Sequence, residues 1–254
     1  MSASFYYSHS KVVQEVTFLD LISKVNIKLG DSCLDIGCGP GNNTKILSNH
    51  VGRTGLVIGI DSDRERINHA QKAHADVENL AFKCMKSIEV PLELKKFDLV
   101  CSNAVMHWMS DADKLITIGK VFDILRPGGI FAINANLNVP PNILRLLSLV
   151  DDTNVKRDKI DLEFSSKAGY KSMLTSTGFD VISIDEINYD FPFTNLDVYL
   201  EWIRASGDIH LDLKTLYEDN SNQVELDKYE DGKTIKHYAL CLNVIARKPI
   251  SKDL

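Results

Sequence analysis

The sequence predicts an α/β fold in which helices cover both faces of a largely parallel sheet. Two observations lead to this prediction. Short apolar runs of strand length alternate with segments of helical length from residue 33 to residue 135. A glycine-rich turn, Gly37-Cys38-Gly39-Pro40-Gly41, directly follows the first of those runs. Strands that alternate with helices in this way form parallel, doubly wound sheets with right-handed crossovers. The 254 residues are enough for one domain with a full core.

The elements can be placed in order along the chain. Residues 10–28 alternate apolar and polar positions at helical spacing, which predicts a first helix. We then expect strands over 33–37, 55–60, 80–84, 97–102 and 130–135, with helices over 42–50, 63–75 and 111–125 between them. The helix over 111–125 should end at the Arg126-Pro127-Gly128-Gly129 sequence.

The C-terminal third has a different character. We expect a helix over 166–177 that ends at Gly178, and then a strand over 179–189. The Phe191-Pro192-Phe193 sequence predicts an interruption after that strand. A helix over 196–205 and a last strand over 236–247 complete the chain.

Composition and charge narrow the classes of function. The formal net charge is −6 and no block is rich in Lys or Arg, which argues against a nucleic-acid partner. The five cysteines show no Cys-x-x-Cys spacing, so we expect reduced thiols and no metal site. The first seven residues lack the regions of a signal peptide, and no apolar run has membrane-spanning length. We therefore expect a soluble cytoplasmic protein of unknown oligomeric state.

The glycine turn is the most informative motif. Glycine allows a sharp backbone turn against which a ligand can lie directly. The helix that begins near residue 42 directs its unpaired N–H groups at the same place. Asp61 ends the next apolar run, about twenty residues beyond the turn, where nucleotide-binding folds place a carboxylate on a ribose. The sequence therefore predicts a site for an adenosine-containing cofactor, and a glycine turn without a ligand is the alternative.

Asp35 distinguishes between the possible cofactors. The loop has neither the glycine spacing of a dinucleotide site nor the Gly-Lys-Ser/Thr ending of a phosphate-binding loop. A carboxylate at Asp35 would repel a pyrophosphate, but it would attract the sulfonium and ammonium groups of S-adenosylmethionine. The segment from Cys33 to Gly41 resembles the first motif of the class I S-adenosylmethionine-dependent methyltransferases.

This resemblance implies a Rossmann-like, doubly wound sheet of seven strands with the last strand antiparallel, and helical additions over the site. It implies S-adenosyl-L-methionine as cofactor and S-adenosyl-L-homocysteine as product. Asp35 and the turn would hold the methionine end, Asp61 the ribose hydroxyls, and Ser87-Ile88 the adenine edge. The implied cofactor-binding residues are Asp35, Gly37, Cys38, Gly39, Gly41, Asp61, Ser62, Ser87, Ile88 and Asn103.

The same resemblance suggests how the domain is organised. Residues 1–254 would form a single methyltransferase domain. Residues 1–28 would form an N-terminal helical lid segment. Residues 137–165 and 190–235 would be insertions on the substrate side.

The methyl acceptor is suggested by a second, narrower resemblance. Tyr7-x-x-Ser10-x-x-x-Gln14 and the later His107-Trp108 resemble the juvenile hormone acid methyltransferase family, which is related to trans-aconitate methyltransferase. In that family, the residues matching Gln14 and Trp108 hold the substrate carboxylate by hydrogen bonds. A carboxylate is already an anion at neutral pH and needs no base, and neutral donors position it without cancelling its charge.

The resemblance therefore implies that the partner is a small carboxylic acid. The aromatic residues Phe191, Phe193, Tyr199 and Trp202 favour an acid with a hydrophobic body, although ordinary packing explains them equally well.

Two alternative functions stay open, and one residue departs from the family pattern. His107 could instead be the base that activates a different oxygen or nitrogen nucleophile. The chain could also bind S-adenosylmethionine without catalysis. Lys86 stands where the family usually has an acid that accepts from the adenine amino group, and lysine cannot accept a hydrogen bond. Backbone carbonyls, Glu89 or a weaker affinity for the cofactor could each account for Lys86.

Overall fold

Seven strands form one sheet in the computed structural model, which describes residues 11–91, 96–149, 163–206, 217–219 and 225–250. The strands are β1 (Ser32–Ile36), β2 (Leu56–Asp61), β3 (Leu80–Cys84), β4 (Phe97–Asn103), β5 (Leu125–Asn136), β6 (Asp180–Phe193) and β7 (Ile235–Arg247). Their order across the sheet is β3-β2-β1-β4-β5-β7-β6. Strands β1 to β5 pair in parallel, and β7 runs antiparallel to both β5 and β6. The predicted seven-stranded sheet with an antiparallel last strand is confirmed.

Helices connect and cover these strands. A π-helical turn, Lys11–Glu15, leads into α1 (Val16–Ser23), and the later helices are α2 (Asn42–Val51), α3 (Arg64–Ala73), α4 (Asp111–Ile124), α5 (Pro141–Ser148), α6 (Lys167–Thr177) and α7 (Leu196–Ser206). Two short 3₁₀ turns, Ser87–Glu89 and Met106–Trp108, follow β3 and β4. No helix among these described segments is long and apolar enough to cross a membrane.

The two faces of the sheet are covered by different helices. Leu34 and Val100 belong to the cluster that includes residues of α4 and α6, whereas Cys33 and Leu99, their neighbours in sequence, belong to the cluster that includes α1 and α2. Successive residues of a strand point to opposite faces. A strand that is buried on both faces therefore needs a continuous apolar run, as in β1 and β4. This arrangement explains the pattern that predicted the α/β fold.

Two predicted elements have different bounds. The first helix, expected over 10–28, is a π-helical turn followed by a short α-helix that ends at Ser23. The fifth strand, expected over 130–135, begins at Leu125 and contains the Arg126-Pro127-Gly128-Gly129 sequence as an irregularity. Leu125 pairs with Phe97, and regular pairing resumes when Ile130 meets Leu99. The sequence 126–129 therefore bulges within the strand instead of preceding it.

The predicted interruption at Phe191-Pro192-Phe193 is wrong, because β6 continues through these residues. Pro192 pairs in register with Lys236 of β7, and Phe193 with Ile235. Proline has no N–H and is normally excluded from sheet interiors, but it is tolerated in an edge strand. β6 lies at the edge of the sheet, and among the described strands its one partner is β7. Its position at the edge therefore allows the proline.

Lys114 joins α4 to the segment that precedes α6. Its side chain is fully buried, and Nζ donates to Asp111 Oδ1 at 2.8 Å, to the Glu163 carbonyl at 2.6 Å and to Ser165 Oγ at 2.7 Å. The N–H of Glu163 also donates to the His107 carbonyl, at 3.0 Å. A buried ammonium is tolerated when its donors are satisfied, and here three acceptors receive them. These bonds hold residues 163–165 against the end of β4 and the start of α4.

Replacing Lys114 by Met should lower the free energy of unfolding by about 1 to 3 kcal/mol, because three hydrogen bonds from the buried ammonium are lost and the buried Ser165 hydroxyl loses a charged donor. Denaturant unfolding measures this change. Lys120→Met is the matched control, since Lys120 lies on the same helix, is only partly buried and has no ion pair with a described residue. Its effect should stay within about 0.5 kcal/mol. Equal effects of the two substitutions would contradict the role given to Lys114.

Candidate active site

A cavity of about 420 Å³ opens at the carboxyl ends of the central strands. β1 lies between β2 and β4, so the strand order reverses beside it. Ligands of open α/β sheets bind at this kind of reversal. The volume falls within the range of about 300–1,000 Å³ typical of ligand pockets. The glycine turn, the end of β2 and the residues after β3 and β4 all contribute to its wall.

The glycine turn brings bare backbone to the cavity. Gly37 has φ +72°, and a Cβ at that position would overlap the Val105 side chain. Gly41 has φ +91° and caps the start of α2, where a Cβ would lie 2.6 Å from the Phe82 ring. Gly37, Cys38 and Gly39 line the cavity, whereas Gly41 lies behind them. The turn can therefore hold a ligand against its backbone, which fits the predicted cofactor.

Asp61 connects the end of β2 to the glycine turn. Its Oδ2 accepts from the Gly39 N–H at 2.9 Å, and its Oδ1 accepts from the Asp63 N–H at 2.9 Å. Its side chain is buried but lines the cavity. Each carboxylate oxygen has a second lone pair. The oriented carboxylate can therefore accept from ribose hydroxyls, as predicted from its spacing.

Asp35 lies beneath the turn instead of in the cavity wall. Its Oδ2 accepts from Thr44 Oγ1 at 2.8 Å, and its Oδ1 accepts from Cys101 Sγ at 3.6 Å. Burial raises the pKa of Asp35 to about 7. Because Asp35 does not line the cavity, its charge can act on a ligand through the turn and not by direct contact. Its role at the methionine end of the cofactor stays a prediction.

Gln14 and Asn103 join the N-terminal helix to the end of β4. Asn103 Nδ2 donates to the Gln14 carbonyl at 2.9 Å, and Asn103 Oδ1 accepts from Thr17 Oγ1 at 3.2 Å. Trp202 Nε1 donates to the side-chain oxygen of Gln14 at 3.4 Å. An indole N–H can only donate, so the amide oxygen of Gln14 faces Trp202 and the NH₂ group of Gln14 points away from Trp202. Gln14, Asn103 and Trp202 all line the cavity.

The other two residues of the N-terminal motif that contains Gln14 are Tyr7 and Ser10. They lie outside the described residues.

His107 is a buried neutral imidazole. Its Nδ1 accepts from the Asn136 N–H at 3.2 Å, so the ring proton must be on Nε2. Burial and the positive charge of Lys114 lower the pKa of His107 to about 3. Phe164 stacks on the ring with centroids 6.4 Å apart, and Trp108, which is 41% exposed, lies beside it in the cavity wall. His107 can therefore donate from Nε2 but is a weak base.

The segment after β3 forms another part of the cavity wall. The cavity wall includes three residues that were predicted to contact the cofactor, Ser62, Ser87 and Ile88, and it also includes Lys86. Ser87 Oγ is hydrogen-bonded to Thr117 Oγ1 at 2.8 Å. The Glu89 carboxylate accepts from the Lys86 N–H at 3.1 Å, is exposed, and does not line the cavity. The geometry therefore does not favour Glu89 as the partner of an adenine.

The aromatic residues of the C-terminal third have different positions. Trp202 lines the cavity. Phe191, Phe193 and Tyr199 are buried in the cluster that packs β6 and β7 against α7, and they do not reach the cavity. For these three the packing interpretation is the correct one.

Several cavity residues were not predicted from the sequence. Ala104, directly after β4, has φ +58°, a conformation that residues with a side chain seldom adopt. His237 of β7 is buried beside Tyr199, with Nδ1 3.2 Å from the hydroxyl. Phe164 and Asp113 also line the cavity. A buried histidine position near the start of the largely apolar last strand was a signal for His237, whereas nothing local marks Ala104.

The described segments hold neither a disulfide nor a cluster of metal-ligand side chains. Their cysteines are all free, and four of the five are buried. Within the ranges given above, no group of three or more His, Cys, Asp or Glu side chains could hold a metal ion.

Comparison with known proteins agrees with this geometry. Residues 33–129 match the family described as a methyltransferase domain. A trans-aconitate 2-methyltransferase of Agrobacterium fabrum is 33% identical over an alignment 200 residues long, which covers 74% of this chain and 73% of that protein. An uncharacterized methyltransferase of Schizosaccharomyces pombe is 28% identical over 80% of this chain and 78% of that protein.

Solved structures show the same fold. The YcgJ protein from Bacillus subtilis has a TM-score of 0.65 at 18% identity, over 92% of this chain and 99% of that one. A SAM-dependent methyltransferase from Aquifex aeolicus has a TM-score of 0.59 at 16% identity, over 98% and 99% of the two chains. The glycine turn, Asp61 and these relationships lead to one conclusion: the chain belongs to the class I methyltransferases, enzymes that use S-adenosyl-L-methionine as cofactor.

Proposed function

We propose that this methyltransferase esterifies the carboxylate of a small organic acid with a largely apolar body. The observation that carries the proposal is the contact between Trp202 and Gln14, which engages the amide oxygen of this cavity-lining residue and leaves its NH₂ group as the donor for a ligand. The Trp108 indole, also in the cavity wall, adds a second neutral donor. Relatives named trans-aconitate 2-methyltransferase support an acid as the acceptor.

The chemistry of the acceptor explains why neutral donors suffice. When bound, S-adenosylmethionine supplies an electrophilic methyl group on a positively charged sulfur. A carboxylate, with a pKa near 4, is already ionised at neutral pH, so no residue needs to remove a proton. The protein must align the reacting atoms and exclude water. Gln14 and Trp108 would orient the carboxylate without a cationic partner that lowers its nucleophilicity.

The lining of the cavity supports an apolar acid. The segments 137–165 and 190–235, which we propose as the substrate side, contribute mainly apolar side chains in their described parts: Val139, Pro140, Ile143, Leu147, Phe164, Trp202 and Ile203. The cationic residues among the described lining are Arg66, which pairs with Asp63 after β2, and Lys86, which follows β3. Both lie on the cofactor side. An acid with several carboxylates would need cationic partners at the acceptor end.

The direct test is to identify the ester. Incubating the protein with isotope-labelled S-adenosylmethionine and a panel of monocarboxylic and polycarboxylic acids, followed by mass spectrometry, should detect labelled methyl esters of apolar monocarboxylic acids. Labelled products that are only ethers or amines would contradict the proposal.

Gln14→Ala should lower kcat/KM for the acid about 10- to 100-fold, because a hydrogen bond to a charged group is lost. Gln14→Glu should lower it further, since the new carboxylate repels the substrate. The affinity for S-adenosylhomocysteine, measured by calorimetry, should change less than about twofold in both variants and is the internal control. An unchanged kcat/KM in Gln14→Ala would contradict the assignment of the acceptor site.

His107→Asn tests the alternative in which His107 is a base. The asparagine oxygen can still accept from the Asn136 N–H, as Nδ1 does now, so the local structure is kept while the imidazole is removed. With a carboxylate acceptor, kcat should stay within about threefold of the native value. A fall of about 10²- to 10⁴-fold would instead indicate general-base catalysis.

Asp35 should make cofactor binding depend on pH. Its pKa of about 7 means that the carboxyl group is protonated below this pH and ionised above it. The ionised form attracts the cationic cofactor, so the Kd of S-adenosylmethionine should rise as the pH falls from about 8 to about 6. Binding should release protons near pH 7, which calorimetry in buffers of different ionisation enthalpy detects. Asp35→Asn should remove this dependence. A native Kd that is constant over the range would show that Asp35 has no such role.

A further inference from the structure

We propose that Asp113 accepts the hydrogen bond of the adenine amino group. The family usually has an acid for this purpose at the position of Lys86, and in this chain Asp113 would take over its role. The inference concerns the cofactor alone and does not depend on which acceptor the enzyme methylates. It gives a binding role to a residue that the sequence motifs did not indicate.

The position of Asp113 is defined by its place on α4. Asp113 precedes Thr117 by four residues, so the two side chains lie on the same face of the helix. Thr117 is hydrogen-bonded to Ser87 in the 3₁₀ turn after β3. Asp113 therefore faces the same turn, one helical turn closer to the start of α4. It lines the cavity together with Lys86, Ile88 and Met109.

This part of the cavity is where the adenine should lie. Asp61 at the end of β2 is the predicted ribose ligand, and β3, the next strand outward, ends before Lys86, Ser87 and Ile88. A base attached to that ribose reaches these residues directly. Its amino group is a donor and needs an acceptor when water is excluded.

The other side chains near this turn are poor acceptors for that group. Lys86 can only donate, and the Glu89 carboxylate is bound to the Lys86 N–H outside the cavity. The Ser87 hydroxyl already pairs with Thr117. The backbone N–H of Asp113 is capped by Ser110 Oγ at 3.1 Å, and its carboxylate makes no hydrogen bond or ion pair with a described residue. Asp113 thus offers a carboxylate with its acceptor sites available.

An acid in the first turn of a helix also has a simpler role, because it interacts favourably with the helix dipole. That role requires no ligand and would affect every cofactor analogue equally. A test must therefore compare two ligands that differ only in the group that Asp113 is proposed to contact.

S-Adenosylhomocysteine and its 6-deamino analogue form such a pair, since in the second a hydrogen atom replaces the amino group and the rest of the purine is unchanged. Calorimetric titration of the full chain should show that the native protein prefers the adenosyl compound. Asp113→Ala should weaken adenosyl binding about tenfold. It should leave binding of the deamino analogue unchanged, because that ligand has no amino group to donate to the carboxylate. The preference ratio should therefore fall about tenfold.

Asp113→Asn provides a second variant that keeps the shape of the side chain. Its amide oxygen can still accept from the adenine amino group but carries no negative charge, so adenosyl binding should weaken less than in Asp113→Ala, while binding of the deamino analogue stays at the native level. Glu65→Ala is the matched control, because Glu65 is an exposed acid in the first turn of α3 and does not line the cavity. Its preference ratio should equal the native one. Equal weakening of both ligands in Asp113→Ala, or no change in either, would overturn the proposal.

Discussion

The reversal of the backbone at the end of β1 is the constraint on which the rest of the site depends. Gly37, Gly39 and Gly41 all have positive φ angles, which turn the chain from a buried strand into α2 within five residues. Val105 occupies the space that a Cβ at Gly37 would need. The turn and the loop after β4 are therefore built against each other, and Asp61 fixes the turn from its other side through the Gly39 N–H. Three strand ends together define the floor of the cavity.

Features that depend on short stretches of sequence could be predicted. The demand of a sharp turn for glycine and the apolar runs of strands buried on both faces are local signals, and both predicted the fold correctly. The carboxylate that ends β2 is a local signal too, and its role at the ribose stays a prediction. Pro192 shows the limit of local rules. Proline is a valid sign of interruption in most strands, but the outcome depended on whether the strand lies at the edge of the sheet, which only the topology decides.

The proposed acceptor side is built by contacts between distant residues, and these contacts could not be predicted from the sequence. Trp202 and Gln14 are 188 positions apart, and no periodicity connects them. The tautomer and low pKa of His107 follow from the backbone of Asn136 and from its burial, neither of which is visible in the His107-Trp108 sequence. Likewise, the left-handed conformation of Ala104 arises from the surrounding fold and not from a preference of alanine.

The proline in β6 also affects the tendency of the protein to aggregate through the edges of its sheet. An outermost strand offers unpaired backbone groups to which strands of other molecules can add, and this is a common route to aggregation. Pro192 has no N–H to offer to another strand. The same strand also carries the negative charge of four acidic residues, Asp180, Asp185, Glu186 and Asp190. The opposite margin of the sheet is β3, which is only five residues long and carries Lys83. Both margins are thus poor templates for intermolecular strand pairing, and the sheet can remain open without promoting self-association through its edges.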